Sequence, residues 1–121
     1  MDKPANGYSK IFLLLLALLS LAGISGVLAI TYRYGAGVTP DSAFYLSCAH
    51  NILTGKGFTV FTDEPFCHWP PLFPLVLSFL GMTEIPLQVI SRFFNAFLFG
   101  GILFITGIWL ARKTQRFYPK I

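Results

Sequence analysis

Asp41 follows Thr39 and Pro40 at the head of a stretch with helical spacing, and a carboxylate held there can accept a proton from a hydroxyl group as a general base. The alternative is structural: an acid in the first turn complements the positive end of the helix dipole and supports the cap. Tyr45 lies one turn later on the same face, able to line the same site or to serve as an interfacial aromatic anchor. His50, a further turn or so along, fits a solvated polar face equally well. Asp63, Glu64 and His68 form a second group whose close spacing suits a divalent cation, but a trio without further ligands fits a solvated turn better, and no metal site is assigned. His68 precedes Trp69, Pro70 and Pro71, where an imidazole at a helix start can meet a phosphate beside free backbone amides, or pair with Trp69 at a membrane interface. Cys48 and Cys67 can pair in an oxidising compartment and tie their two segments together, or remain independent thiols. No phosphate-binding glycine loop, zinc spacing, serine-nucleophile elbow or dinucleotide fingerprint occurs, so no cofactor is expected.

The elements that would position these residues are legible from local signals. Thr39 as N-cap and Pro40 at the first helical position predict a helix start. Phe44, Cys48 and Ile52, with Ala49 and Leu53 on the adjoining row, recur at helical spacing, while Ser42, His50, Asn51 and Thr54 are polar. This predicts a short amphipathic helix over about 40–54. Gly55 and Gly57 suit its C-terminal cap and the turn beyond. Residues 58–62 are too short and aromatic for another helix; with a turn at 62–65 and a return over 66–69 they predict a small hairpin-like segment across 58–69. The residue before a proline is biased away from helix, so Trp69 and Pro70 are expected to be extended and a second short helix to run over about 71–81, closed by Gly81. Thr83 is expected to cap the next helix, with Pro86 in its first turn.

Hydrophobic residues make up 55% of the 121 positions and charged ones 12%, which excludes a disordered chain and strains a reading as a small soluble domain. Residues 11–32 carry no charge and as a helix extend about 33 Å, enough for a hydrocarbon core of about 30 Å. A second charge-free run covers 93–111 and crosses if extended back to Ile90, with Arg92 snorkelling to the interface. The apolar run 72–82 is too short to cross and is expected in the interface or dipping into the protein. Lys3 and Lys10 precede the first span, and Arg112, Lys113, Arg116 and Lys120 follow the second. The basic flanks predict two cytoplasmic termini. The stretch between the spans holds every acid except Asp2 and is expected outside. The net charge of +4 reflects this topology and anionic headgroups, and points to no nucleic acid. A secretory signal cleaved after Ser20-Leu21-Ala22 is the competing reading, opposed by ten further apolar residues beyond that site.

The expected fold is an all-α membrane protein in which two transmembrane helices are joined by an extracytoplasmic loop with two short interfacial helices and a small extended hairpin-like segment. Its expected parts are a cytoplasmic N-terminus (1–10), a first span (11–32), the outer loop (33–85), a second span (86–111) and a basic cytoplasmic tail (112–121). Gly23, Gly26, Ala96, Gly100 and Gly101 are small enough to let other helices approach, though such residues are common in membrane helices.

Residues 39–81, with a span on each side, resemble the N-terminal part of the polytopic glycosyltransferases of the GT-C fold, in particular the dolichyl-phosphate-mannose protein mannosyltransferase-like group and its bacterial relatives. Asp41, Tyr45, Ala49, Gly55, Gly57, Pro70, Pro71 and Leu72 match that pattern in order. Ser42 stands where many members carry a second acid, and His68 and Trp69 where many carry a base before the double proline. The resemblance implies transfer of a sugar from a polyprenyl-phosphate donor to an acceptor hydroxyl, with Asp41 as base or acceptor organiser and Tyr45 at a matching position binding substrate; His68, which departs from the pattern, is expected to bind substrate as a substitute for the phosphate-facing cation. It covers only the opening part of a family member, so it also implies a piece inactive alone that needs further transmembrane helices, in the plasma membrane of a prokaryote. Two spans cannot wall a pocket on several sides. The alternative from another class is a small two-span membrane protein acting as a structural or interaction subunit, pairing with a larger partner through its helices.

Overall fold

Charge-free runs rich in leucine, isoleucine and phenylalanine satisfy their backbone N–H and C=O groups internally, except in the first and last turns, when they wind into a helix, and the two longest helices contain those runs. The computed structural model describes residues 8–117. In chain order it contains α1 (Lys10–Tyr34), α2 (Pro40–Leu53), β1 (Thr59–Val60), β2 (Glu64–Pro65), α3 (Leu72–Gly81) and α4 (Leu87–Phe117). The described residues are thus all-α apart from one two-stranded hairpin, with two long apolar helices flanking the shorter elements in sequence. Lys3 and Lys120, used above for orientation, lie outside the described residues.

Two units share these elements: one comprises the described parts of Met1–Leu28 and Ala96–Ile121, the other is Ala29–Asn95. In the first unit the N-terminal part of α1 runs antiparallel to the C-terminal part of α4, as the successive contacts of Gly107 with Leu16, Gly100 with Ser20 and Ile24, and Gly23 with Phe99 and Leu103 require. A Cβ on Gly100 would sit 2.5 Å from Ile24 Cγ1, and one on Gly23 would sit 2.7 Å from Leu103 Cδ1, so these glycines set the closeness of the helices. Gly26 and Gly101 instead face open space. Ser20 is buried, and its hydroxyl donates back to the Leu16 carbonyl at 3.0 Å, which satisfies it inside the helix pair. Arg112 and Lys113 continue α4, because the residues after Leu110 include no glycine or proline before Pro119 and Ala, Arg, Lys and Gln are good helix formers.

The second unit is built around α2. Thr39 caps it, its hydroxyl accepting from Ser42 N at 3.2 Å, with Pro40 at the first helical position. At the far end Gly55 takes φ +80° while Gly55 N donates to the Ile52 carbonyl and Lys56 N to the Asn51 carbonyl, the paired closing bonds of a Schellman cap. One face of α2 contributes Cys48 to a cluster with Val60 and Phe66; another contributes Ala49 to a cluster with Leu77 and Ile90. Burial of Leu77, fully enclosed, stabilises this packing by roughly 2–5 kcal/mol as judged by Leu→Ala substitutions at such sites.

Two expectations are corrected here and a third is met by another means. Asn51, grouped with the polar residues of an amphipathic α2, is buried: its Nδ2 donates to Thr59 Oγ1 at 3.0 Å and fastens the hairpin to α2. Gly81 does end α3, but without the left-handed φ of a glycine cap; its missing Cβ makes room for Leu53 and Leu87, each 2.8 Å from where that atom would lie. Thr83 does not cap α4. Its hydroxyl turns back to donate to the Leu80 carbonyl at 2.8 Å, Glu84 takes the positive φ of the turn, and α4 begins at Leu87, with the Pro86 carbonyl receiving its first bonds. The strands β1 and β2 pair antiparallel, Thr59 opposite Pro65 and Val60 opposite Glu64, and Phe66 N donates to the Phe58 carbonyl to extend the ladder.

Candidate functional site

Asp41 is the second residue of α2, exposed, and its Oδ1 accepts a hydrogen bond from Trp69 Nε1 at 3.2 Å. The indole is held in place by near-parallel rings: Phe44 stacks on it with centroids 4.2 Å apart, and Phe66 lies 5.7 Å away at 24°. Phe44 is on α2 and Phe66 follows β2, so the cap that starts α2 and the hairpin that returns to it both position the same indole. One carboxylate oxygen is thereby oriented by the indole, on a side chain open to solvent. That arrangement can accept a proton from a hydroxyl brought within hydrogen-bond reach.

Tyr45 is half-buried, its ring edge-on to Phe73 at 5.3 Å and tilted against Phe66 at 5.8 Å. It packs in the aromatic cluster that supports Trp69 and shares the helix row of Asp41. His68 is exposed with its ring 5.7 Å from the indole. Asp41 and His68 therefore both adjoin Trp69, the one at its indole nitrogen and the other beside its ring. Past Pro71, which offers no side-chain cap, α3 begins with Leu72. His50 is exposed near the other end of α2.

The second acidic group does not assemble. Asp63 Oδ1 meets Lys56 Nζ at 3.2 Å with the two side chains 65% and 50% exposed, a solvent-screened pair of little energetic weight. Among the described residues no group of three His, Cys, Asp or Glu side chains could hold a metal ion. Cys48 and Cys67 are not bridged. Cys48 points into the core with Val60 and Phe66, where burial pushes its thiol above the ordinary value, whereas Cys67 is exposed.

Sequence reasoning overlooked Trp69 as the partner of Asp41. The available signal is that an indole N–H in a partly packed setting seeks an acceptor, but 28 positions separate the two residues. It also overlooked Ser47, whose Oγ accepts from Phe61 N at 2.7 Å and holds the hairpin turn, where Phe61 and Asp63 both have positive φ. Comparison of the chain with protein-family models, curated proteins and solved structures finds no match.

Proposed function

We propose that the chain is an integral-membrane protein with two spanning helices, acting as a structural or interaction subunit that holds its outer segment against partner helices. One observation carries this reading: α1, and α4 as far as Thr114, are long and apolar enough to cross a bilayer, yet only 11% of the most apolar window of each lies buried within the protein. Leu14, Leu15, Leu18, Leu19, Phe97 and Ile105 are more than half exposed, and water is a poor neighbour for so continuous an apolar surface. Lipid covers part of it, and other helices cover part. In this reading both termini are cytoplasmic, residues 33–85 are outside, and α2 and α3 lie at the outer interface. The test is extraction and topology together: the chain should resist alkaline carbonate, and reporters at Gly55 and after Ile121 should lie in opposite compartments. On native gels it should migrate with a larger assembly. Release by carbonate would refute insertion, and migration as a lone 13.5 kDa chain in detergent would refute the subunit role.

A second reading is favoured by the pinned carboxylate. With Asp41 exposed and oriented by Trp69, and His68 beside the same indole, the outer segment has a carboxylate and an exposed imidazole in one neighbourhood. This agrees with the resemblance to polyprenyl-phosphate-dependent glycosyltransferases, in which the chain would supply the acceptor base while partner helices wall the donor site. Membranes containing the chain and its partners should then transfer sugar from a polyprenyl-phosphate donor, and Asp41→Asn should abolish that transfer.

A further inference from the structure

The geometry points to a binding site for the phosphate of an anionic phospholipid at the end of the first unit where α1 begins and α4 closes, built from Tyr8, Trp109, Arg112 and Lys113. It rests on the membrane reading above and deepens it. Tyr8 Oη accepts from Arg112 Nε at 2.9 Å and donates to the Ile108 carbonyl at 3.4 Å, so the phenol ties the guanidinium to a fixed point on the helix. Nε is thereby occupied, while the two terminal nitrogens of the fork keep the donor geometry suited to phosphate oxygens, and the residue is exposed. One residue on, Lys113 Nζ lies 5.0 Å from the centre of the Trp109 ring, which orients the ammonium at the same helix end. Phe12 packs 5.6 Å from Tyr8 and secures the phenol from the α1 side.

Charge complementarity selects the occupant. The described residues of this unit include the cations Lys10, Arg112 and Lys113 and no Asp or Glu, so the cluster has no internal counter-ion there. It also follows directly on an apolar helix surface that includes exposed Ile105, Trp109 and Leu110, which suits acyl chains below a headgroup. A phospholipid satisfies both parts at once, whereas free phosphate satisfies only the first. The Tyr8 hydroxyl is a positioning group: it carries no charge, and it acts through Arg112.

The test is a competition in mixed micelles containing equal amounts of phosphatidylglycerol and phosphatidylcholine, with the lipids retained by the full chain counted by native mass spectrometry. The parent should retain phosphatidylglycerol preferentially. Arg112→Gln with Lys113→Gln should lower that preference roughly thirtyfold, about two cations' worth of surface attraction. Tyr8→Phe keeps the ring and the net charge, and should still lower the preference several-fold. An unchanged preference in Tyr8→Phe would leave only diffuse attraction and overturn the site, as would an unchanged preference in the double variant. Inorganic phosphate at millimolar concentration should not displace the lipid; equal displacement would overturn the lipid assignment. Carbonate resistance measured on the same variants separates failure of this site from failure of insertion.

Discussion

Trp69 Nε1 and Asp41 Oδ1, 3.2 Å apart, join the start of α2 to the segment that leads into α3. The bond has two separable consequences, one for folding and one for chemistry. Trp69→Phe keeps an aromatic ring over Phe44 and removes the donor, so it should cost about 1 kcal/mol or less, given that Asp41 is solvent-exposed. Asp41→Asn retains a good helix-start residue and removes the base. If the transfer reading holds, sugar transfer should fall by about 10²–10⁴ in Asp41→Asn, the range of general-base assistance, and only modestly in Trp69→Phe. Transfer within a few-fold of parental in Asp41→Asn, with insertion intact, would remove the catalytic role and leave Asp41 as a helix-start residue.

Gly81 supplies a packing prediction. A methyl group added there would meet Leu53 Cδ1 and Leu87 Cδ2 at 2.8 Å, and those side chains belong to α2 and α4. Both atoms are the tips of half-buried leucine side chains that can turn aside, so Gly81→Ala should destabilise the second unit by about 1 kcal/mol or less. Thermal unfolding in detergent measures it. Gly101→Ala, where nothing lies within 4 Å, is the control and should be neutral or slightly stabilising through helix propensity.

What could be read in the sequence was local. Thr39, Pro40 and Gly55 announce both ends of α2 because cap chemistry is decided within a few residues, and the alternation of turn residues with aromatics announces the hairpin. Thr83 misled because a threonine hydroxyl can cap forward or bond back to a carbonyl, and the tight turn at Glu84 makes the second choice. Among the small residues of the long helices, Gly23 and Gly100 meet the facing helix while Gly26 and Gly101 do not. That distinction depends on the rotation of each helix, which composition does not encode. The Asp41–Trp69 contact depends on the hairpin folding back, so it appears only in three dimensions.

Asn51 tests how firmly the hairpin is held. Its side-chain amide is buried and donates to Thr59, while its backbone carbonyl receives Lys56 N at the helix cap. Asn51→Leu removes the donor to Thr59 Oγ1 and places a larger apolar group beside a polar one, at a cost of about 1–3 kcal/mol. The loss should be local: amide hydrogen exchange should accelerate at Phe61 and Phe66, whose N–H groups bond to Ser47 and Phe58, and change little in α1.

The cysteines give the last prediction, with a pH dependence whose sign follows from burial. Cys67 is exposed and should react readily with a membrane-impermeant maleimide, whereas Cys48 should be protected until the second unit opens. Labelling should be the same with and without reductant, since the two are not bridged. Burial raises the Cys48 thiol above its ordinary value of 9.0, so the folded state favours the neutral form. The unfolded chain releases its proton first as pH rises past that ordinary value, and stability should then decline between it and the higher folded value; below it, the thiol leaves stability unchanged. Cys48→Ala should remove this alkaline decline, as well as lowering stability at every pH through the lost side-chain volume. Equal labelling of Cys48 and Cys67 in the folded chain at neutral pH would show that the cluster of Cys48, Val60 and Phe66 is open, and would overturn the packing from which the pH dependence is derived.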